Sequence, residues 1–111
     1  MQSKKFISAN EIEWQPAGEG VERQILGYCD ELMVVRVKFV AGTAAASHKH
    51  PHAQCSYIES GKFEFTVDGE MQVVSAGDGI LIKSNQVHQC TCLEAGVIID
   101  TFAPMREDFV S

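Results

Sequence analysis

The chain has 111 residues, 45% of them apolar and 22% charged, with a formal net charge of −6. That length and apolar content fit one domain with one sizeable core, expected to span the whole chain. No apolar run nears the roughly 20 residues of a membrane span, and the acidic balance argues against a nucleic-acid binder, which would carry a basic face. The mostly polar Met1–Asn10 lacks the apolar region of a signal peptide, so a cytoplasmic protein is expected.

The first 20 residues, with Pro16, Gly18 and Gly20, read as a loop-like N-terminal arm whose Trp14 should find a place to bury. The barrel is expected over residues 21–111. In Glu31–Val40, apolar Val35, Val37 and Phe39 alternate with Arg36 and Lys38, the period of a strand. Lys62–Val67 alternates again through Phe63, Phe65 and Val67. Asp68-Gly69 then signals a tight hairpin, with Met71–Val74 as the returning strand. Gly42, Gly61, Gly77 and Gly79 punctuate the remainder into about nine or ten short strands, the spacing of sandwiches and barrels. No window has the periodicity of an amphipathic helix; a short turn is expected near Pro104–Phe109. The four cysteines, with no leader to suggest an oxidising compartment, are expected as reduced, packed thiols. If Val87–Cys92 is a strand, Cys90 and Cys92 share the inward face with His88.

The chemistry concentrates in the histidines. All four are His48, His50, His52 and His88. On a strand, His48 and His50 project from one face, and neighbouring strands can close a site around a metal ion. His52 stands beside the pair, though Pro51 disturbs the alternation that would align it with them. Asp100 lies in the apolar run Val97–Phe102, where burial would raise its pKa and suit it to acid/base work. Arg106 can clamp a carboxylate with its two-pronged guanidinium. Each has an ordinary counterpart: Asp100 as a structural acceptor, Arg106 as an exposed ion pair with Glu107, Phe102 as core, Lys83 as a solvated turn residue.

Gly42, His48, His50, Gln54 and Gly61 stand at the spacing of the first cupin motif, with Gln where Glu is usual. Gly77 and His88 match the second motif, in which Lys83, Asn85 and Cys92 replace the usual Pro, Gly and Asn. The chain therefore resembles the cupins, and the resemblance implies an all-β jelly-roll barrel (a double-stranded β-helix). The segments Gly20–Gly27 and Asp100–Phe109 further resemble single-domain cupins of the KdgF type, which open unsaturated uronate monosaccharides released from pectin or alginate. That resemblance implies His48, His50, Gln54 and His88 as ligands of one divalent ion (Ni, Zn, Mn or Fe), with His52 competing for the position of Gln54; it implies Asp100 and Arg106 as catalytic residues, and Phe102 with Arg106 as substrate-binding residues. It implies an acidic sugar as substrate. A homodimer is also expected, since cupins of this size commonly pair through an outer sheet face. A neutral Gln leaves the ion's charge uncompensated, which favours anionic ligands. Two other classes remain open: a different metal-dependent cupin enzyme such as an Fe(II) dioxygenase, and a non-enzymatic small-molecule-binding cupin. A dioxygenase pocket would tend to lack the Asp100/Arg106 pair.

Overall fold

A computed structural model describes residues 1–111. Its strands are β1 (Gln15–Pro16), β2 (Val21–Cys29), β3 (Leu32–Phe39), β4 (Ala53–Val67), β5 (Glu70–Ser75), β6 (Gly79–Ile82) and β7 (His88–Ala103), with short 3₁₀ turns at Ala9–Glu11 and Glu107–Phe109. Every pairing is antiparallel. The order is β1-β2-β3-β7-β4-β5, and β6 pairs with the first part of β4. The fold is the all-β jelly-roll barrel.

Seven strands replace the nine or ten expected because β4 and β7 are 15 and 16 residues long and pass through their glycines. Each bends instead of ending. The β4–β7 register slips between Ile58 and Phe63, a cluster of bulges that turns both strands from one wall of the barrel to the other. Gly61 sits there at φ 85°, and a Cβ on it would lie 2.6 Å from the Glu94 carbonyl. A Cβ on Gly96 would collide with the Ser60 carbonyl. The backbones approach too closely for any side chain, so glycine marks a bend here, whereas its sequence signal resembles a turn.

At the β4–β5 hairpin, Asp68 and Gly69 both have positive φ, 47° and 83°, as a type I′ turn requires. The N-terminal arm is held by Gln24, 3% exposed. Its amide donates to the Ala9 and Ile12 carbonyls at 2.9 and 3.0 Å and accepts from Arg36 Nη1 at 2.8 Å. Trp14 departs from expectation. It is half-buried, with Lys38 Nζ 4.3 Å and the Arg36 guanidinium 5.3 Å from its ring centre, so the arm caps an outer surface instead of entering the core.

Two apolar clusters line the interior. One gathers Phe39, Ile58, Phe63, Phe65, Val74, Ile82, Cys90, Cys92 and Ile98; the other gathers Met33, Val35, Phe102 and Met105. Full burial of each large side chain contributes about 1.5–3 kcal/mol. No helix of the structure is long and apolar enough to cross a membrane.

Candidate metal centre

Strand register explains which polar side chains enter the barrel. Three cross-strand rows face inward. Arg23, Val37, Ile98 and Ile58 form one; Ile25, Val35, Asp100 and Ser56 the next; Met33, Phe102, Gln54 and Ile82 the third. Arg23, Asp100, Ser56 and Gln54 are thus polar insertions in apolar rows. Each carries a desolvation cost unless it is partnered.

The histidines converge at the end of these rows. His48, His50 and His88 place one ring nitrogen each within 4.8 Å of one another. His48 and His88 are a cross-strand bridge, with mutual backbone bonds of 3.0 and 2.9 Å and ring centres 4.3 Å apart. His48 and His50 precede β4 and lie outside its ladder, so the expectation of a regular strand through this pair is corrected. The His48–His88 bridge, and a bond from the Asn85 amide to the His50 carbonyl at 2.8 Å, hold the segment instead.

All three rings are oriented alike. Nδ1 of His48, His50 and His88 meets the carbonyls of Ala46, His52 and Gln86 at 2.9, 3.0 and 2.8 Å. Only an N–H can face a carbonyl, so Nδ1 carries the proton and each Nε2 presents a lone pair. His88 Nε2 is buried with no hydrogen-bond partner. Burial, reinforced by the nearby Arg106 charge, lowers the pKa of His50 and His88, keeping them neutral and able to ligate.

Gln54 supplies a second indication of a cation. Its Nε2 donates to Ser56 Oγ at 3.0 Å and to Asp100 Oδ1 at 3.3 Å, which turns its Oε1 towards His50 Nε2, 3.0 Å away. With His50 protonated on Nδ1, two acceptors face each other. A cation between them and the other two imidazoles resolves the conflict, and the donor set of three imidazoles and a neutral oxygen fits a divalent first-row metal. His48, His50 and His88 are positioned to bind a metal.

Asp100 receives the Ser56 hydroxyl at 2.6 Å. The residue is part-exposed, but its carboxyl group is enclosed, and burial raises its pKa to about 6 against the lowering pull of Ser56, Gln54 and Arg106. Arg106 differs from expectation. Its ion-pair partner is Asp108, through Nε and Nη2 at 3.2 and 3.0 Å, and not Glu107. Its guanidinium also stacks on Phe102 and Phe109, 5.1 and 4.4 Å from their ring centres. Phe102 is both core and cavity wall: 3% exposed, packed with Met33 and Met105, and edge-on to His50 at 5.8 Å.

These groups share one cavity of about 500 Å³, lined by His48, Gln54, His88, Asp100, Phe102 and Arg106, with Arg23 and Phe109 among the remaining wall residues. Arg23 was not singled out in the sequence. Its alternation with Val21 and Ile25 was the available signal. His52 does not join the cluster; it lines a separate surface depression with Asp30 and Asp108. The second-motif substitutions prove compatible with the turn. Asn85 adopts φ 63°, the left-handed conformation asparagine tolerates. Lys83 donates its amide to Gln86 Oε1 at 2.8 Å, a bond proline could not make.

All four cysteines are free. Cys90 and Cys92 are buried, and burial raises both thiols, Cys90 to about 12. Cys55 is exposed, against the expectation that all would be packed, because its outward row position faces solvent.

A barrel of this topology with a histidine cluster at its mouth defines a cupin. The chain belongs to the cupin family: the cupin domain (Cupin_2) matches residues 35–101. It is 37% identical over 109 residues to the pectin degradation protein KdgF of Dickeya dadantii (strain 3937), covering 96% of this chain and 99% of that protein. Among solved structures, an RmlC-like cupin from Shewanella frigidimarina NCIMB 400 superimposes with a TM-score of 0.96 at 40% identity, over 98% of each chain. KdgF from Halomonas sp. superimposes with a TM-score of 0.93 at 33% identity, over 97% of this chain and 100% of that one.

Proposed function

We propose that this protein is a metal-dependent enzyme of pectin breakdown that converts 4,5-unsaturated uronate monosaccharides to their linear, ketonised form. The observation that carries this reading is a cluster of three imidazole lone pairs, two of them (His48 and His88) on the same cavity of about 500 Å³ as an enclosed carboxyl and a guanidinium. Near-full-length similarity to two KdgF proteins supports the substrate class. The charged pocket favours it over an oxygenase acting on an apolar substrate.

His48, His50 and His88 would hold one divalent ion through Nε2, with Gln54 Oε1 as a fourth protein ligand; Ni, Zn, Mn and Fe all suit this donor set. Such an ion supplies Lewis-acid polarisation of substrate oxygens. Arg106 holds the C6 carboxylate, exchanging its bond to Asp108 for the substrate, and Phe102 provides the apolar surface beneath the ring. When the ring opens, the C1–O5 bond breaks, C1 becomes an aldehyde as its hydroxyl gives up a proton, O5 takes up a proton, and C5 bears an enol. Asp100, held by Ser56 and Gln54, delivers a proton to C4 as the enol oxygen gives up its own and C5 becomes the ketone. A carboxyl with pKa near 6 exchanges protons readily at neutral pH.

The test adds metal-loaded protein to unsaturated galacturonate and follows the ultraviolet absorbance of the conjugated double bond. Loss well above the spontaneous rate is expected. A rate no faster than the uncatalysed reaction rejects the assignment.

A further inference from the structure

Two guanidinium groups flank one aromatic ring in the cavity, and only one has a carboxylate partner. The Arg23 guanidinium carbon lies 3.8 Å from the Phe109 ring centre; that of Arg106 lies 4.4 Å from the same ring. Arg106 is engaged by Asp108, a residue whose side chain is 59% exposed. Arg23 enters from β2 in the row of Val37 and Ile98, and its Nε is buried with no acceptor. A buried N–H without a partner costs about 1–3 kcal/mol, more when charged. Attraction to Asp108 outweighs the repulsion from Arg106, but it gives Arg23 Nε no hydrogen-bond acceptor; an anion reaching the two groups from the cavity would supply one.

We infer that Arg23 is a substrate-binding residue that shares a single carboxylate with Arg106, and that the pair makes the pocket selective for acidic over neutral sugars. This rests on the uronate reading for its substrate class, but it concerns binding, not turnover. Arg23 Nε, the donor lacking a partner, takes one carboxylate oxygen; Arg106 takes the other as Asp108 withdraws towards solvent. Phe109 spaces the two forks and keeps water from their outer faces.

The probes are D-galacturonate and D-galactose, saturated sugars that differ at C6 and lack the reacting double bond. Isothermal titration calorimetry on the metal-loaded full chain gives their affinities. The wild type is expected to prefer galacturonate. Arg23→Gln should weaken galacturonate about tenfold or more, the usual loss of a charge-assisted hydrogen bond, and leave galactose unchanged. Arg23→Lys, which keeps the charge without the fork, should fall between and serves if the Gln variant does not fold. Because both residues grip one carboxylate, Arg23→Gln with Arg106→Gln should lose less than the product of the two single losses. A galacturonate affinity for both Arg23 variants within twofold of wild type overturns the inference. So does a wild type without preference for the acid, or strictly multiplicative losses. A wild type that binds galacturonate through Arg23, yet leaves unsaturated galacturonate at its spontaneous rate, overturns the proposed reaction alone.

Discussion

Gln54→Glu tests the electrostatics of the centre most directly, because it changes one nitrogen to oxygen and adds one charge. In the wild type, Gln54 Nε2 donates to Asp100 Oδ1 at 3.3 Å. The variant sets two carboxylates at that separation, where the repulsion is about 5 kcal/mol at an effective dielectric constant of 20. Taking up one proton is cheaper. Asp100 already has a pKa of about 6, so protonating it costs roughly 1 kcal/mol at pH 7 and roughly 3 kcal/mol at pH 8, at about 1.4 kcal/mol per pH unit. Folded Asp100 lies above its unfolded value of 3.8, so in the wild type the folded state binds the extra proton, and stability falls as pH rises from about 4 to about 6 and then levels. In the variant the shared proton is held to higher pH, so stability continues to fall above pH 6. Metal-free thermal melts of both proteins between pH 5.5 and 8.5 should therefore nearly coincide at the acid end and diverge above pH 6. Each kcal/mol corresponds to roughly 4 °C for a domain of this size. Excess divalent metal should close the gap, since the new carboxylate then faces a cation. Parallel melting curves across that pH range would refute the orientation of Gln54 and the charge state of Asp100 together.

His88→Ala should lose metal and activity together, measured by elemental analysis and the absorbance assay. Asp100→Asn should retain metal on the three imidazoles yet turn over about two to four orders of magnitude more slowly; full activity would place the proton transfer elsewhere. Native thiol titration should label exposed Cys55 quickly and Cys90 and Cys92 slowly, given their burial and raised pKa; fast labelling of the latter two would contradict the register of β7. The exposed apolar side chains Tyr57 and Leu81 on the outer sheet are expected to be covered in a homodimer, so light scattering should give twice 12.2 kDa; the monomer mass across micromolar concentrations would exclude it.

The alternation of Val35, Val37 and Phe39, the Asp68-Gly69 hairpin and the histidine spacing made the barrel and its mouth legible in the sequence. Local signals carry that information. Gly61 misled because a glycine needed for close backbone approach looks like one needed for a turn; only the cross-strand partner, distant in sequence, tells the two apart. Asp108 displaced Glu107 as the partner of Arg106 because a 3₁₀ turn at Glu107–Phe109 brings the second residue, not the first, onto the guanidinium. Arg23 was ambiguous for a related reason. A lone basic residue in an alternating strand reads as a solvated side chain until the register with Val37 and Ile98 shows that it faces inward.

The Gln54 amide connects the two halves of the site. Asp100 and Ser56 fix which way the amide points, and that direction presents its oxygen, not its nitrogen, to the imidazoles. A glutamate at this position would present an oxygen in either orientation and would need no such support. It would also cancel charge that the neutral amide leaves in place. On the proposed reading, the choice of Gln therefore ties the orientation of the fourth ligand to the carboxyl assigned the proton transfer. On that reading, with a cation bound, it would also keep the centre positive beside Arg23 and Arg106, the electrostatic setting that favours a uronate over a neutral sugar.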